Sequence, residues 1–220
     1  MLRIPSVSAD PKFKDDVRRC AEAVKEAVLK AGADLAEIHE TPGHPVVYAE
    51  KIIDPSLPTV LIYGHYDVQP ADPYELWDSP PFEPVIKNER IYARGACDDK
   101  GQFYMHIKAL ETMVATGNLT CNVKIMIEGE EEIGSPNFHE IVRRPDIMAA
   151  LQRSQGVFIP TGWQDPSTGG VTVNLGAKGI IECEIVASGE RWGRWPARDI
   201  HSSNKAMVDA PVWRLVAALQ

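Results

Sequence analysis

Three short apolar runs, Thr59 to Tyr63, Val123 to Ile127 and Val157 to Ile159, set the terms for any fold this chain can adopt. Each is rich in β-formers and bounded by turn residues, as expected of strands buried on both faces. Helical patterns lie between and before them. Phe13, Val17, Cys20, Val24, Ala27, Val28 and Ala31 recur at helical spacing behind an Asp10–Pro11 start, with Gly32 as the stop. Gly101 to Ala115 reads as a second helix ending at Gly117, and Pro136 to Leu151 as a third, broken at Pro145. Two further short strands are expected around Leu35 to His39 and Val46 to Lys51. Strands alternating with helices predict an α/β fold with a largely parallel sheet flanked by helices. After about Gly176 the pattern changes. IIECEIVA, Ile180 to Ala187, alternates like a half-exposed antiparallel strand, and Met207 to Leu219 reads as a helix. A boundary near Ala177 divides the chain into domains 1–177 and 178–220.

Composition excludes several classes of function. At 220 residues the chain is long enough for one large domain or one and a half ordinary ones, and 44% apolar residues can fill a core. A net charge of −8 with no basic run argues against a nucleic acid or an anionic membrane as partner. No apolar stretch approaches the ~20 residues needed to cross a bilayer. The opening MLRIPSVSADPKFKDD is not built like a secretory signal. Cys20, Cys97, Cys121 and Cys183 are widely spaced and read as reduced thiols of a cytoplasmic protein.

Acid and histidine clusters follow the apolar runs. His65 and Asp67 come after TVLIYG, and two residues apart on extended chain they point to one side. Asp98 and Asp99 sit in YARGACDDKG at the start of the second helix. Glu128 and Glu130 to Glu132 sit in IEGEEEIGS. Taken singly, the first can be a polar turn, the second an N-cap pair, the third a solvated acidic run. Open α/β sheets, however, place ligand sites at the carboxyl ends of their strands. Three successive clusters of His, Asp and Glu at such ends point to a binuclear metal site and hydrolysis. A cysteine hydrolase centred on Cys97 would leave these acids unexplained, and no oxyanion-forming motif surrounds that cysteine. His39, His44, His106 and His139 have no partner pattern and read as surface or turn residues.

YGHYDVQP, ARGACDDKGQ and IEGEEEIGS together resemble the zinc-dependent metallopeptidases that include cytosolic nonspecific dipeptidase and carnosinase. The deacylases of acetylornithine and succinyl-diaminopimelate are relatives, and ELWDSPPFEP looks like the dipeptidase branch. The resemblance runs from LRIPSVSADP to AKGIIECEI. It implies the first part of a catalytic domain followed by the start of a smaller α+β lid and dimerisation domain. It also implies roles: His65 binds one metal, Asp67 orients that histidine, Asp98 bridges two metals and is joined to Asp99 by a cis peptide, Glu131 is the general base and Glu132 binds metal. His201, in RDIHSS, matches a lid histidine that reaches the active site of a neighbouring subunit in a homodimer. The implied cofactors are two divalent ions, zinc first, with manganese and cobalt also suited to such ligands. The implied substrate is a dipeptide or other small amide. Two alternatives stand beside this: deacylation of N-acyl amino acids, and a truncated, non-catalytic copy.

The sequence also departs from the family pattern. The acidic ligand expected after Ile159 is replaced by Pro160, with Asp165 out of register, and a last histidine ligand is expected only beyond Gln220. SSNKAMVDAP replaces a glycine-rich stretch, and ERWGRWPARD is longer than expected. Each metal is then one ligand short, held by His65 and Asp98 or by Asp98 and Glu132, and the expected affinity of the chain alone is weak.

Overall fold

The computed structural model describes residues 1–160, 165, 167–176, 179, 181, 183–189, 201, 203–204, 207 and 210–220. The chain divides into two units, Met1–Val173 and Asn174–Gln220.

In the first unit a five-stranded sheet is sandwiched between helices. Its elements are α1 (Lys14–Lys30), β1 (Leu35–His39), β2 (Val46–Lys51), β3 (Thr59–His65), β4 (Val85–Lys87), β5 (Arg90–Tyr92), α2 (Lys100–Ala115), β6 (Asn122–Glu128), α3 (Phe138–Val142), α4 (Pro145–Leu151) and β7 (Gly156–Phe158). Strand order in the sheet is β1-β2-β6-β3-β7. β3 is parallel to both β6 and β7, while β2 is antiparallel to β1 and to β6, so β2 alone runs against the other four.

The central strand β6 is buried along its whole length and shows how one sequence serves two layers. Val123, Ile125 and Ile127 pack with Val17, Val24 and Val28 of α1 and Phe103, Ile107 and Leu110 of α2. Met126 turns the other way, toward Ile141 of α3 and Ile147 of α4. Each fully buried aliphatic side chain of this kind stabilises the fold by about 1.5–3 kcal/mol. Lys124 shares the second face, and its Nζ donates to the Ala150 carbonyl, 2.6 Å away, at the end of α4. An ammonium there is tolerated because it meets a helix C-terminal carbonyl.

Local chemistry explains the element ends. Asp10 caps a short 3₁₀ turn, Pro11–Phe13, by accepting from the Lys12 N–H before α1 begins. Gly32 closes α1 at φ 98°, where a Cβ would be disfavoured. The expected third helix is two, α3 and α4, because Pro145 starts a new helix.

The structure departs from the sequence expectations at two strands and adds a hairpin. β7 forms, but Val157 and Phe158 are more than half exposed, because among the described residues only β3 pairs with it. The β4–β5 hairpin was not anticipated. Of the antiparallel strand expected over 180–187, residues 181 and 183–187 take no regular structure, and the remainder lies outside the described residues. In the second unit α5 spans Pro211–Ala218, with Pro211 at its first turn, inside the helix expected over Met207 to Leu219. No described helix is long and apolar enough to cross a membrane.

Candidate metal centre

The parallel pair β3 and β6 builds the site, with His65, the last residue of β3, in register with Glu128, the last of β6. Asp98 comes from the turn before α2. The Asp98–Asp99 peptide is cis. Glu131 and Glu132 come from a 3₁₀ turn, Glu131–Ile133, that follows β6. Because the turn curls back, both glutamates reach the same region.

His65, Asp98 and Glu132 each offer a ligand atom within 4.8 Å of the others, the one such group of His, Cys, Asp or Glu among the described residues. His65 Nε2 lies 3.0 Å from Asp98 Oδ1 and 3.7 Å from Glu131 Oε2. His65 Nδ1 lies 3.2 Å from the Asp67 carbonyl and 3.3 Å from Asp67 Oδ1. The ring is therefore held by one nitrogen and presents the other to Asp98. Burial alone would push the imidazole down, but Asp67, Asp99 and Glu131 outweigh it and raise it to about 10. The same negative field that favours the charged ring attracts a cation to this point. One imidazole and two carboxylates form a donor set suited to zinc, manganese or cobalt.

Asp67 is wholly buried and joins the parts of the site together. Besides facing the ring, it accepts from the Glu131 N–H at Oδ1 (3.2 Å) and from the Glu132 N–H at Oδ2 (3.1 Å). Ser8 Oγ donates to Oδ2 at 2.6 Å. Gln69 Nε2 donates to both the carbonyl and Oε2 of Glu132. Burial raises the Glu132 carboxyl above its ordinary range.

The neighbouring acids divide sharply. Asp99 stands at the N-cap position of α2 but its side chain makes no capping hydrogen bond: its Oδ2 accepts from the His65 N–H at 3.0 Å, its Oδ1 is buried without a partner, and burial raises it to about 7. Gly64 leaves the space it needs, since a Cβ there would lie 2.6 Å from Asp99 Oδ2. Glu128 accepts from the Tyr63 and Ser135 hydroxyls, so it fastens both ends of the segment that carries Glu131 and Glu132. Glu130 is 3% exposed. Its carboxylate accepts from the His44 N–H, the Asn137 N–H and Asn137 Nδ2. Gly43 is required opposite it, because a Cβ there would overlap Oε1.

Sequence reasoning missed Ser8, Tyr63, Gln69 and Asn137 as supports. Gln69 alone carried a signal, two residues beyond Asp67 on the same polar segment. His39 was read as a surface or turn residue but is buried, with Nδ1 accepting from Arg144. Asp165 lies outside the ligand group, its Oδ1 accepting from Ser167 N–H in its own loop. His201 belongs to the second unit; it is exposed, and its Nδ1 accepts from the Ser203 N–H at 3.1 Å. The remaining RDIHSS residues other than Ser203 lie outside the described residues.

Comparison with known proteins gives a consistent picture. Residues 61–217 match the model of the peptidase family M20/M25/M40. The Cys-Gly metallodipeptidase dug1 of Schizosaccharomyces pombe is 31% identical over 230 residues, covering 99% of this chain and 47% of that protein. The Beta-Ala-His dipeptidase of Homo sapiens is 33% identical over 150 residues, covering 63% of this chain and 30% of that protein. Among solved structures, an M20 family metallo-carboxypeptidase, Sso-CP2 from Sulfolobus solfataricus, superposes with a TM-score of 0.77 at 35% identity over 98% of this chain and 46% of its own. Human carnosine dipeptidase 1 gives a TM-score of 0.66 at 30% identity over 72% of this chain and 36% of its own. The chain thus spans less than half the length of these relatives.

Proposed function

Because the chain belongs to the peptidase family M20/M25/M40, we propose that it carries the metal-binding half of a dipeptidase that hydrolyses the peptide bond of dipeptides or short peptides. The observation that supports this best is the convergence of His65, Asp98 and Glu132 at the ends of two parallel strands, with the Glu131 carboxylate beside them. In this reading His65, Asp98 and Glu132 would hold the two divalent ions. Zinc is the first choice, with manganese and cobalt as alternatives. Such ions supply a Lewis acid for the scissile carbonyl and acidify water near neutral pH.

The chain's own groups do the rest. Glu131 is exposed enough to meet substrate, while its backbone N–H is fixed by Asp67, so the carboxylate is aimed without being enclosed. It takes a proton from the attacking water and returns it to the leaving amine. Asp67 holds the His65 ring so that Nε2 faces the ligand cluster. His201 accepts from Ser203 at Nδ1, which leaves Nε2 as the proton-bearing nitrogen of the neutral ring. In a dimer of the whole protein this nitrogen stabilises charge on the substrate carbonyl of the other subunit. The first unit is the beginning of the catalytic domain, and the residues beyond about 177 begin a lid and dimerisation domain. The protein works in the cytoplasm.

The test is metal content and hydrolysis on one purified sample, with and without added zinc or manganese, using Cys-Gly, β-Ala-His and N-acetyl amino acids. Metal uptake lost in His65→Ala, with dipeptide turnover abolished by a chelator, is the expected result. Turnover of N-acetyl amino acids alone would move the assignment to a deacylase. A folded chain with neither metal nor turnover would overturn the proposal and leave a non-catalytic copy.

A further inference from the structure

Between the N-terminus and α1 the chain crosses directly behind the metal centre. Residues Ile4 to Ser8 form a strap fixed at several points. Ser6 Oγ donates to the Tyr66 carbonyl at 2.6 Å, Val68 N–H donates to the Ser6 carbonyl at 3.0 Å, and Val7 and Val68 form an isolated parallel bridge. Lys100, the first residue of α2, donates from Nζ to the Ile4 carbonyl at 2.7 Å. His44 Nε2 lies 3.2 Å from the Ser8 carbonyl. The strap therefore ties together β3, the start of α2 and the loop before β2.

Ser8 occupies a particular place on this strap. It is 7% exposed, and its hydroxyl donates to Oδ2 of the fully buried Asp67. That same oxygen accepts the Glu132 N–H, while Oδ1 accepts the Glu131 N–H and faces the His65 ring. A carboxylate with one rotatable end can tilt toward either set of donors. A third, short hydrogen bond from a fixed strap removes that freedom, and hydrogen bonds to an ionised acceptor are the strong ones.

We propose that Ser8 is a positioning residue: through Asp67 it sets the spacing between His65 and the turn that carries Glu131 and Glu132. The inference builds on the metallopeptidase reading but concerns the chain's own hydrogen bonds. A serine fifty-seven positions before His65 thus governs how two adjacent glutamates are presented.

The experiment compares the wild type with Ser8→Ala and Ser8→Thr in the full chain, first without metal. Amide hydrogen exchange is read at Glu131 and Glu132 and, as a control, in α1. Ser8→Ala is expected to speed exchange at the two glutamate amides about tenfold, the loss of one charge-assisted hydrogen bond, with α1 unchanged. Ser8→Thr, which keeps the hydroxyl, is expected to restore protection. Unchanged exchange at Glu131 and Glu132, or acceleration spread equally over α1, would overturn the proposal. The visible spectrum and affinity of added cobalt then report on the ligand set. An altered spectrum in Ser8→Ala, restored in Ser8→Thr, supports the proposal. A wild type that takes up no cobalt would refute the metal reading, while the exchange data still decide the role of Ser8.

Discussion

Replacing Glu130 by alanine tests the claim that three consecutive glutamates hold three different jobs. In the folded chain the Glu130 carboxylate receives the His44 N–H at 3.0 Å, the Asn137 N–H at 3.2 Å and Asn137 Nδ2 at 3.0 and 3.1 Å. Alanine removes every acceptor and leaves three donors unpaired beside Gly43. A donor stranded in this way costs about 1–3 kcal/mol, and water reaching the part-exposed His44 and Asn137 keeps each near the lower bound, so the sum is about 3 kcal/mol. Glu131→Ala, one position on, removes a half-exposed side chain and should stay within about 0.5 kcal/mol of the wild type. Urea unfolding of both variants, in chelator so that metal does not contribute, measures the difference. A loss below about 1 kcal/mol for Glu130→Ala, or equal losses for the two variants, would refute the assignment of Glu130 to the scaffold.

Other outcomes follow from the same geometry. Gly129→Ala places a Cβ over the Tyr66 ring and hydroxyl and should destabilise by about 1–3 kcal/mol, lowering the melting temperature. Glu131→Gln should reduce turnover by roughly 10²–10⁴-fold in an active preparation while bound metal stays constant, as read by elemental analysis. His39 is held below the ordinary imidazole value of 6.5, first by burial and then by Arg144. A base whose folded pKa is depressed binds its proton more readily when unfolded, so the contribution of His39 to stability falls as pH drops below about 6.5. His39→Gln should flatten that part of the pH–stability curve, and an unchanged slope would count against it.

The parallel core was legible because β3 and β6 are nearly uninterrupted apolar runs, which few other structures can accommodate. Asp98, His65 and Glu132 were legible as a group because each follows such a run or opens the helix between two of them. Other features were hidden for identifiable reasons. The β4–β5 hairpin turns at Asn88 and Glu89, both with positive φ and neither a glycine, and its strands are exposed, so neither turn chemistry nor alternation marked it. The exposure of β7 depends on what lies beside it, which composition does not encode. Glu130 and Glu131 are chemically identical, and only the presence of Asn137 and His44 opposite one of them separates scaffold from site. Ser8 was silent for the same reason: its partner lies 59 positions away.

Strand order has a further consequence, for timing. β6 lies between β2 and β3, yet it is synthesised after both. As the chain emerges from a ribosome, residues 46–65 are available early but have no mutual pairing to make; they wait with open edges until the segment ending at Glu128 arrives to join them. Long-range pairing of this kind is slow because loop closure must come before any contact is gained. Glu131 and Glu132 follow within four residues of that joining strand, so the pairing of β2, β6 and β3 and the assembly of the ligand group come in nearly the same step. A nascent chain therefore has no assembled ligand group to load before β6 has joined β2 to β3.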